Sequence, residues 1–519
     1  MTAQLFVAVQ TTALVKGGSK ITFASFKENV TKMKLGITKF VFTIVILFSQ
    51  LSTCCWSTLI INNVHITEKF PNHVEETLRY LCEDDFTISL NFSNVEISKI
   101  NQDFINNPLI TCLKLTGNIR NIERGAFNKL PNLTRLFLFN NGFESLSKFF
   151  NIGSYNNLQV LVMNSAGIPL HSWDRENINI YDEYPNLEIL SLRKNNFYGH
   201  LEFSPQNTPL ELRTTPSYEI TPMVNRIPFP KLKILDLSEN DIQVTNFLNL
   251  LPNSLHFLDL HNNSLSYLKF ENKITKLFAL NLNNNRFNCI KDSHNTNSNY
   301  HNPYGNYDNQ DGSSLSVAGL KNLHYLSIST CKISVIEPDA FEDNNKLLYL
   351  NLSSNYIKHI HSVTFANLQQ LKTLDLSNNQ LEEVPQFLNT TEINNLYINY
   401  NNITNLSSYS FMQMTKLTKL LLGWNRIDQI NVNAFAHLSS LEELELSNNM
   451  LSFLPEKWAE YLVALKYLDL SGNQFTSLKS LSLTNTIPLI KIYLVMNPLE
   501  FNIRNLENLP QNLTINFVN

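Results

Sequence analysis

The chain has 519 residues, 43% of them hydrophobic, and a formal net charge of −4. The apolar content is ample for a core. A charge this close to neutral argues against nucleic acid or a strongly anionic membrane surface as a partner.

The first predicted element is a targeting signal. Lys34 and Lys39 precede the apolar run Phe40 to Phe48, and Ser49, Gln50, Ser52 and Thr53 follow it. A basic flank, an apolar stretch and a small-residue zone near Cys54 to Ser57 predict a secretory signal. The run is shorter than the ~18 residues of a membrane span. Met33 opens this signal directly, so residues 1–32 read as an upstream extension or a gene-model artefact. A transit peptide is the rival reading, because residues 1–39 are basic with Glu28 as their lone acid. Residues 1–56 are therefore expected to be extension and signal, and 57–109 an N-terminal region and cap. Leu90 and Phe92 precede Leu113 and Leu115 by about 23 residues and predict a capping strand.

From Ile110 onward one pattern dominates. Apolar residues and Asn recur as L-x-x-L-x-L-x-x-N about every 24 residues, as in Leu371, Leu374, Leu376, Asn379 and in Leu465, Leu468, Leu470, Asn473. A period of this length predicts a solenoid. Fifteen repeats can be counted from Ile110 to Leu489, with Asn at the last position in all but two, where Ala166 and Cys331 stand. The x-L-x-L-x core alternates with period two, so it predicts a short strand with its leucines inward. Successive strands stack in parallel on the concave side, and the Asn amide serves backbone groups where the chain leaves the strand. The repeats occupy 110–499, and 500–519 is expected to cap them, with a last strand over Leu513, Ile515 and Phe517.

Two spacings of about 45 residues interrupt the series. In the first, Leu210 and Leu212, among Pro205, Pro209 and Pro216, suggest a degenerate sixteenth repeat. In the second, residues 291–314 are polar, without aliphatic side chains, and predict an inserted loop.

Beyond Cys54 and Cys55, four cysteines remain: Cys82, Cys112, Cys289 and Cys331. An even number in a secreted chain predicts disulfides, with three pairings open. Sequence proximity favours Cys82–Cys112 and Cys289–Cys331. No C-x-x-C spacing supports zinc. Candidate glycosylation sequons occur at Asn91, Asn132, Asn262, Asn351, Asn389, Asn402, Asn405 and Asn512.

The wording LDLSNNQLEEVP from Leu374, LDLSGNQF from Leu468 and IERGAFNKLPNLTRLFL from Ile122 resembles the typical class of extracellular leucine-rich repeats. Toll-type receptor ectodomains and secreted or cell-surface invertebrate proteins carry such repeats. The resemblance spans about residues 82–517. It implies an α/β solenoid, a leucine-rich repeat horseshoe with a parallel concave sheet and an irregular or 3-10 convex side. It also implies recognition through the concave strands. A cysteine-rich C-terminal cap, a membrane span and a signalling domain do not follow the repeats in this sequence.

Outward residues that depart from the Asp and Ser wording toward large apolar types are the candidate contacts, because exposing them is costly without a partner. Tyr397, Tyr400, Leu421 and Trp424 form one cluster, with Tyr325 and Tyr349 as an extension. Phe137 and Phe139 form another. Tyr493, Val495 and Met496 are expected under the C-terminal cap. A glycan on Asn351 would shield the concave face near Tyr349.

A catalytic reading rests on Asp236, Asp259, His256 and His261, which lie on or beside neighbouring strands. An acid with His can do acid–base work or bind metal, but these Asp positions follow the repeat wording on an open face. His294 and His301 in the insert offer two further metal donors. Gly-rich phosphate loops, H-E-x-x-H and G-x-S-x-G are absent from the sequence.

These features predict a secreted, non-enzymatic protein without cofactor. It would recognise extracellular proteins in adhesion or innate immunity, alone or in a homo- or hetero-dimer. The alternatives are a soluble factor binding microbial glycan or lipid, and a receptor ectodomain whose chain continues into a membrane span.

Overall fold

The computed structural model describes residues 87–517 except 93–98, 103, 144–151, 166–177, 180–183, 201–202, 205–228, 246, 249–250, 271–273, 292–312, 390, 501–508 and 511. All of these lie in the compact unit Tyr80–Asn519; the other unit, Met1–Arg79, falls outside the described residues. So do the signal segment, Cys54, Cys55 and Cys82.

Among the described residues seventeen short strands form one sheet, and every pairing in it is parallel. The strand Thr87–Phe92 opens the sheet and Thr514–Asn516 closes it, with one strand per repeat between them. Leu90 pairs with Leu115 and Ile88 with Leu113, so the first strand is offset by two residues from the simple 23-residue spacing. The leucines alternate as expected. Leu374, Leu376, Leu420 and Leu422 are fully buried and belong to one continuous core. Parallel strands need a crossover, and each repeat supplies one through its turns and a later apolar pair such as Phe435 and Leu438.

The helical part of the α/β expectation is small. No α-helix occurs among the described residues, and the crossovers use turns, small parallel pairings and 3-10 turns such as Leu478–Leu481. Phe341, Phe365 and Phe387 stack in succession beneath them, as do Phe411 and Phe435.

Asparagine at the end of each pattern holds neighbouring turns together. Asn425 Nδ2 donates to the carbonyls of Ile398 (3.0 Å) and Leu422 (2.9 Å), and its Oδ1 accepts from Ile403 N–H (3.1 Å). One amide thus satisfies three buried backbone groups in two repeats. Asn379, Asn401, Asn449 and Asn473 repeat this arrangement.

The two long spacings leave the sheet intact. Ile189–Ser191 pairs directly with Ile234–Asp236, so no sixteenth strand separates them; Leu210 and Leu212 lie outside the described residues. Ala279–Asn281 likewise pairs directly with Tyr325–Ser327. The chain returns from the insert through Ser314–Ser316, which slots between Leu268–Lys269 and Cys289–Ile290 in a small parallel sheet.

The expected Cys289–Cys331 disulfide is absent. Both thiols are free and buried. Cys331 occupies the Asn position, where its thiol contacts the Leu282 and Ser329 carbonyls, while Cys289 is paired along its backbone with Ser314 and Val335. Backbone pairing, not a covalent bridge, secures the base of the insert. Cys112 is disulfide-bonded.

Candidate interaction surface

Where the chain leaves each strand, the residue before the Asn position has positive φ. The row includes Asn262, Asn284, Asn378, Asn448 and Gly472, residues that accept this conformation readily. Tyr400 (φ 56) and Trp424 (φ 55) hold the same conformation. Bulky side chains there are strained by about 1–2 kcal/mol. The strain is held by the ladder: Tyr400 N–H donates to Gly423 O (2.9 Å) and Trp424 N–H to Ser447 O (2.8 Å).

The two rings stack, with centroids 5.3 Å apart and planes 9° apart. Both remain about half exposed, at 48% and 51%. Tyr397 and Leu421 sit differently. They are in register on adjacent strands and half-buried on the concave face. The expected cluster is therefore split between a concave part and a rim part, and the rim part holds the exposed aromatic area.

The other predicted patch is in part withdrawn from solvent. Phe137 is buried, with Lys114 and Val162 in register on either side, Lys114 Nζ 5.5 Å from its ring centre, and Phe139 5.8 Å away. Adjacent strands lie close enough for such flanking side chains to cover an outward ring. Phe139 is half-buried. Tyr325 and Tyr349 are buried as well, with rings 6.3 Å apart, and do not extend the exposed patch. Met496, expected under the cap, is 77% exposed.

Beside Trp424, Gly423 leaves room for Glu445, whose Oε1 a Cβ would overlap. Burial raises the Glu445 pKa, opposed by a hydrogen bond from Ser447 Oγ (2.7 Å). Nearby lysines are engaged: Lys419 with Glu443 (3.1 Å) and Lys466 with Glu442 (2.9 Å).

The acid–histidine group divides. His261 Nδ1 meets Asp259 Oδ1 at 2.7 Å, and Asp236 accepts from the hydroxyls of Ser191 and Ser238. His256 turns away to the Ser254 carbonyl (2.6 Å). Burial and the adjacent Asp259 raise the Asp236 pKa. The imidazole ring's partners among the described residues are Asp259 and Asn281, so it is not paired with a hydroxyl or thiol that it could activate. His294 and His301 lie outside the described residues. Among the described residues no group of three His, Cys, Asp or Glu side chains is arranged to hold a metal.

Of the sequons, Asn91, Asn132, Asn389, Asn405 and Asn512 are exposed, and Asn262, Asn351 and Asn402 are half-buried. Asn351 Oδ1 accepts from Ser353 N–H (2.9 Å). No helix among the described residues is long and apolar enough to cross a membrane.

The Leucine rich repeat family profile matches residues 321–381 and 415–475; Trp424 lies in the second match and Tyr400 between the two. No curated protein sequence matches the chain. Among solved structures, the chain is similar to an internalin (InlF) of Listeria monocytogenes, at 22% identity and TM-score 0.43, over 64% of this chain and 81% of the other. It is also similar to the functional domain of InlJ from the same organism, at 20% identity and TM-score 0.39, over 56% and 58% of the two chains. Fold and repeat wording agree: residues 321–381 and 415–475 are leucine-rich repeats within a parallel solenoid. Leucine-rich repeats are in general protein-binding scaffolds.

Proposed function

We propose that this chain is a secreted protein-recognition scaffold whose partner anchors on Tyr400 and Trp424. One observation carries the reading: two stacked, half-exposed rings occupy adjacent strained turns where other repeats place mostly Asn, Gly or a polar residue such as Ser354, Thr330 or Glu239. The exposed aromatic area carries a cost in the free protein that is recovered when a partner covers the rings, while the strained backbone, held by the ladder, fixes where they stand. Leu421 and Tyr397 continue the contact onto the concave strands. The solenoid supplies rigidity, so little ordering entropy is lost on binding. The predicted signal and the exposed sequons support an extracellular partner, in adhesion or immune recognition.

The test replaces both rings with the residue used elsewhere in the row. Tyr400→Asn with Trp424→Asn should abolish capture of the proteins that the wild-type chain retains from extracellular fluid. Secretion level should stay unchanged. Retention of the same proteins by the double variant would refute the anchor.

A further inference from the structure

Several repeats before the aromatic pair, an open cleft of about 400 Å³ lies on the rim. Arg286, Lys332, Asn262, Asn284, Ser354 and Tyr356 contribute to its walls, and none of its lining residues is acidic. Arg286 and Lys332 are exposed and have neither an ion pair nor a side-chain hydrogen bond among the described residues. That sets them apart from Lys372, Lys419 and Lys466, each of which is matched with a glutamate. Two like charges facing one cleft leave a local positive potential with no counterion among the described residues.

The backbone also departs from the repeat here. Arg286, Tyr356, Gln380, Asn402 and Arg426 each donate a backbone N–H to a carbonyl of the preceding repeat. The equivalent rung from Lys332 to Phe287 is missing, and Lys332 has φ 67. The break coincides with Cys331, where a thiol replaces the bridging amide. It frees one backbone donor in the residue that also brings a cation to the cleft.

We infer that this cleft binds an anionic saccharide, a sugar bearing a sulfate, phosphate or carboxylate group. Arg286 and Lys332 supply charge-assisted hydrogen bonds to the oxyanion. Asn262, Asn284 and Ser354 offer amides and a hydroxyl to sugar hydroxyls, and the half-exposed Tyr356 ring offers an apolar face to the sugar ring. The volume suits a ligand of one or two sugar units. The site stands apart from the aromatic anchor and does not depend on it.

Isothermal titration calorimetry of the full chain tests this, with a sulfated disaccharide, its unsulfated counterpart and inorganic sulfate as probes. The sulfated disaccharide should bind most tightly. Arg286→Gln with Lys332→Gln should weaken it by about tenfold or more, the loss expected from charged hydrogen bonds, at unchanged melting temperature. Ser264→Ala removes the sequon at Asn262 without altering a lining residue, so a glycan on Asn262 cannot fill the cleft in that variant. Absence of binding by both wild type and Ser264→Ala overturns the inference. So does equal binding of the two disaccharides, binding of sulfate as tight as that of its disaccharide, or full affinity in the double variant.

Discussion

His261 Nδ1 lies 2.7 Å from Asp259 Oδ1 on the buried part of the concave face. Burial alone would lower the imidazole pKa; the hydrogen bond and charge of Asp259, with Asp236 behind it, prevail and raise it above 6.5. A raised imidazole pKa stabilises the fold fully below the unfolded value, and that stability is lost as pH rises through the folded value. The raised Asp236 pKa acts with the same sign, since the folded state keeps that proton longer. Melting temperature should therefore fall as pH is raised from about 6 to about 8. His261→Gln should flatten that slope, and differential scanning calorimetry across the range reads it.

Cys331 occupies a position where Asn bridges repeats on both sides. Cys331→Asn should restore the amide contacts to neighbouring carbonyls and raise stability by about 1 kcal/mol, the net worth of a typical hydrogen bond. Denaturant midpoints of the two proteins measure it.

Burial raises the Cys289 thiol pKa to about 11 and the Cys331 thiol to about 12. Thiolate is the reactive form, so neither cysteine should be alkylated in the native protein at mildly alkaline pH. Both should label rapidly after denaturation without reductant. Mass spectrometry of the two samples distinguishes this from a Cys289–Cys331 disulfide, which would block labelling in both.

Leu420→Ala should cost about 2–5 kcal/mol by opening a cavity in the continuous core. Asn425→Ala removes much less volume, yet leaves Ile403 N–H and two carbonyls without their partner. Its cost should be about 1–3 kcal/mol, the penalty for stranded buried polar groups. Urea unfolding of the two variants compares them.

Gly472→Ala introduces a Cβ at φ 66 that overlaps Asn448 Oδ1. A loss of about 1–2 kcal/mol from the left-handed backbone is expected even if Asn448 turns aside. Asn448 is itself left-handed (φ 51), so thermal unfolding of Asn448→Ala with Gly472→Ala is compared with Asn448→Ala alone, a difference that removes the overlap and leaves only the Gly472 backbone part.

The ladder was legible in the sequence because its two signals are local: Leu374 and Leu376 alternate within one strand, and Asn379 closes the same pattern. Tyr400 and Trp424 were recognisable as departures, but not as rim residues. Residue type does not announce a left-handed backbone, and aromatic side chains argue against one. The burial of Phe137 has no local signal, because its cover comes from Lys114 and Val162, on strands more than 20 residues away in sequence. The cleft at Arg286 and Lys332 had no sequence signal, since it depends on a missing backbone rung.

Because Ala279–Asn281 pairs directly with Tyr325–Ser327, the solenoid counts rungs and not residues. The 292–312 interval can change length without shifting any leucine out of register, and closure entropy grows only slowly with loop length. The join between Ile290 and Ser314 is thus a natural port for foreign sequence, where a tag or a second binding module can be carried at little cost to the scaffold.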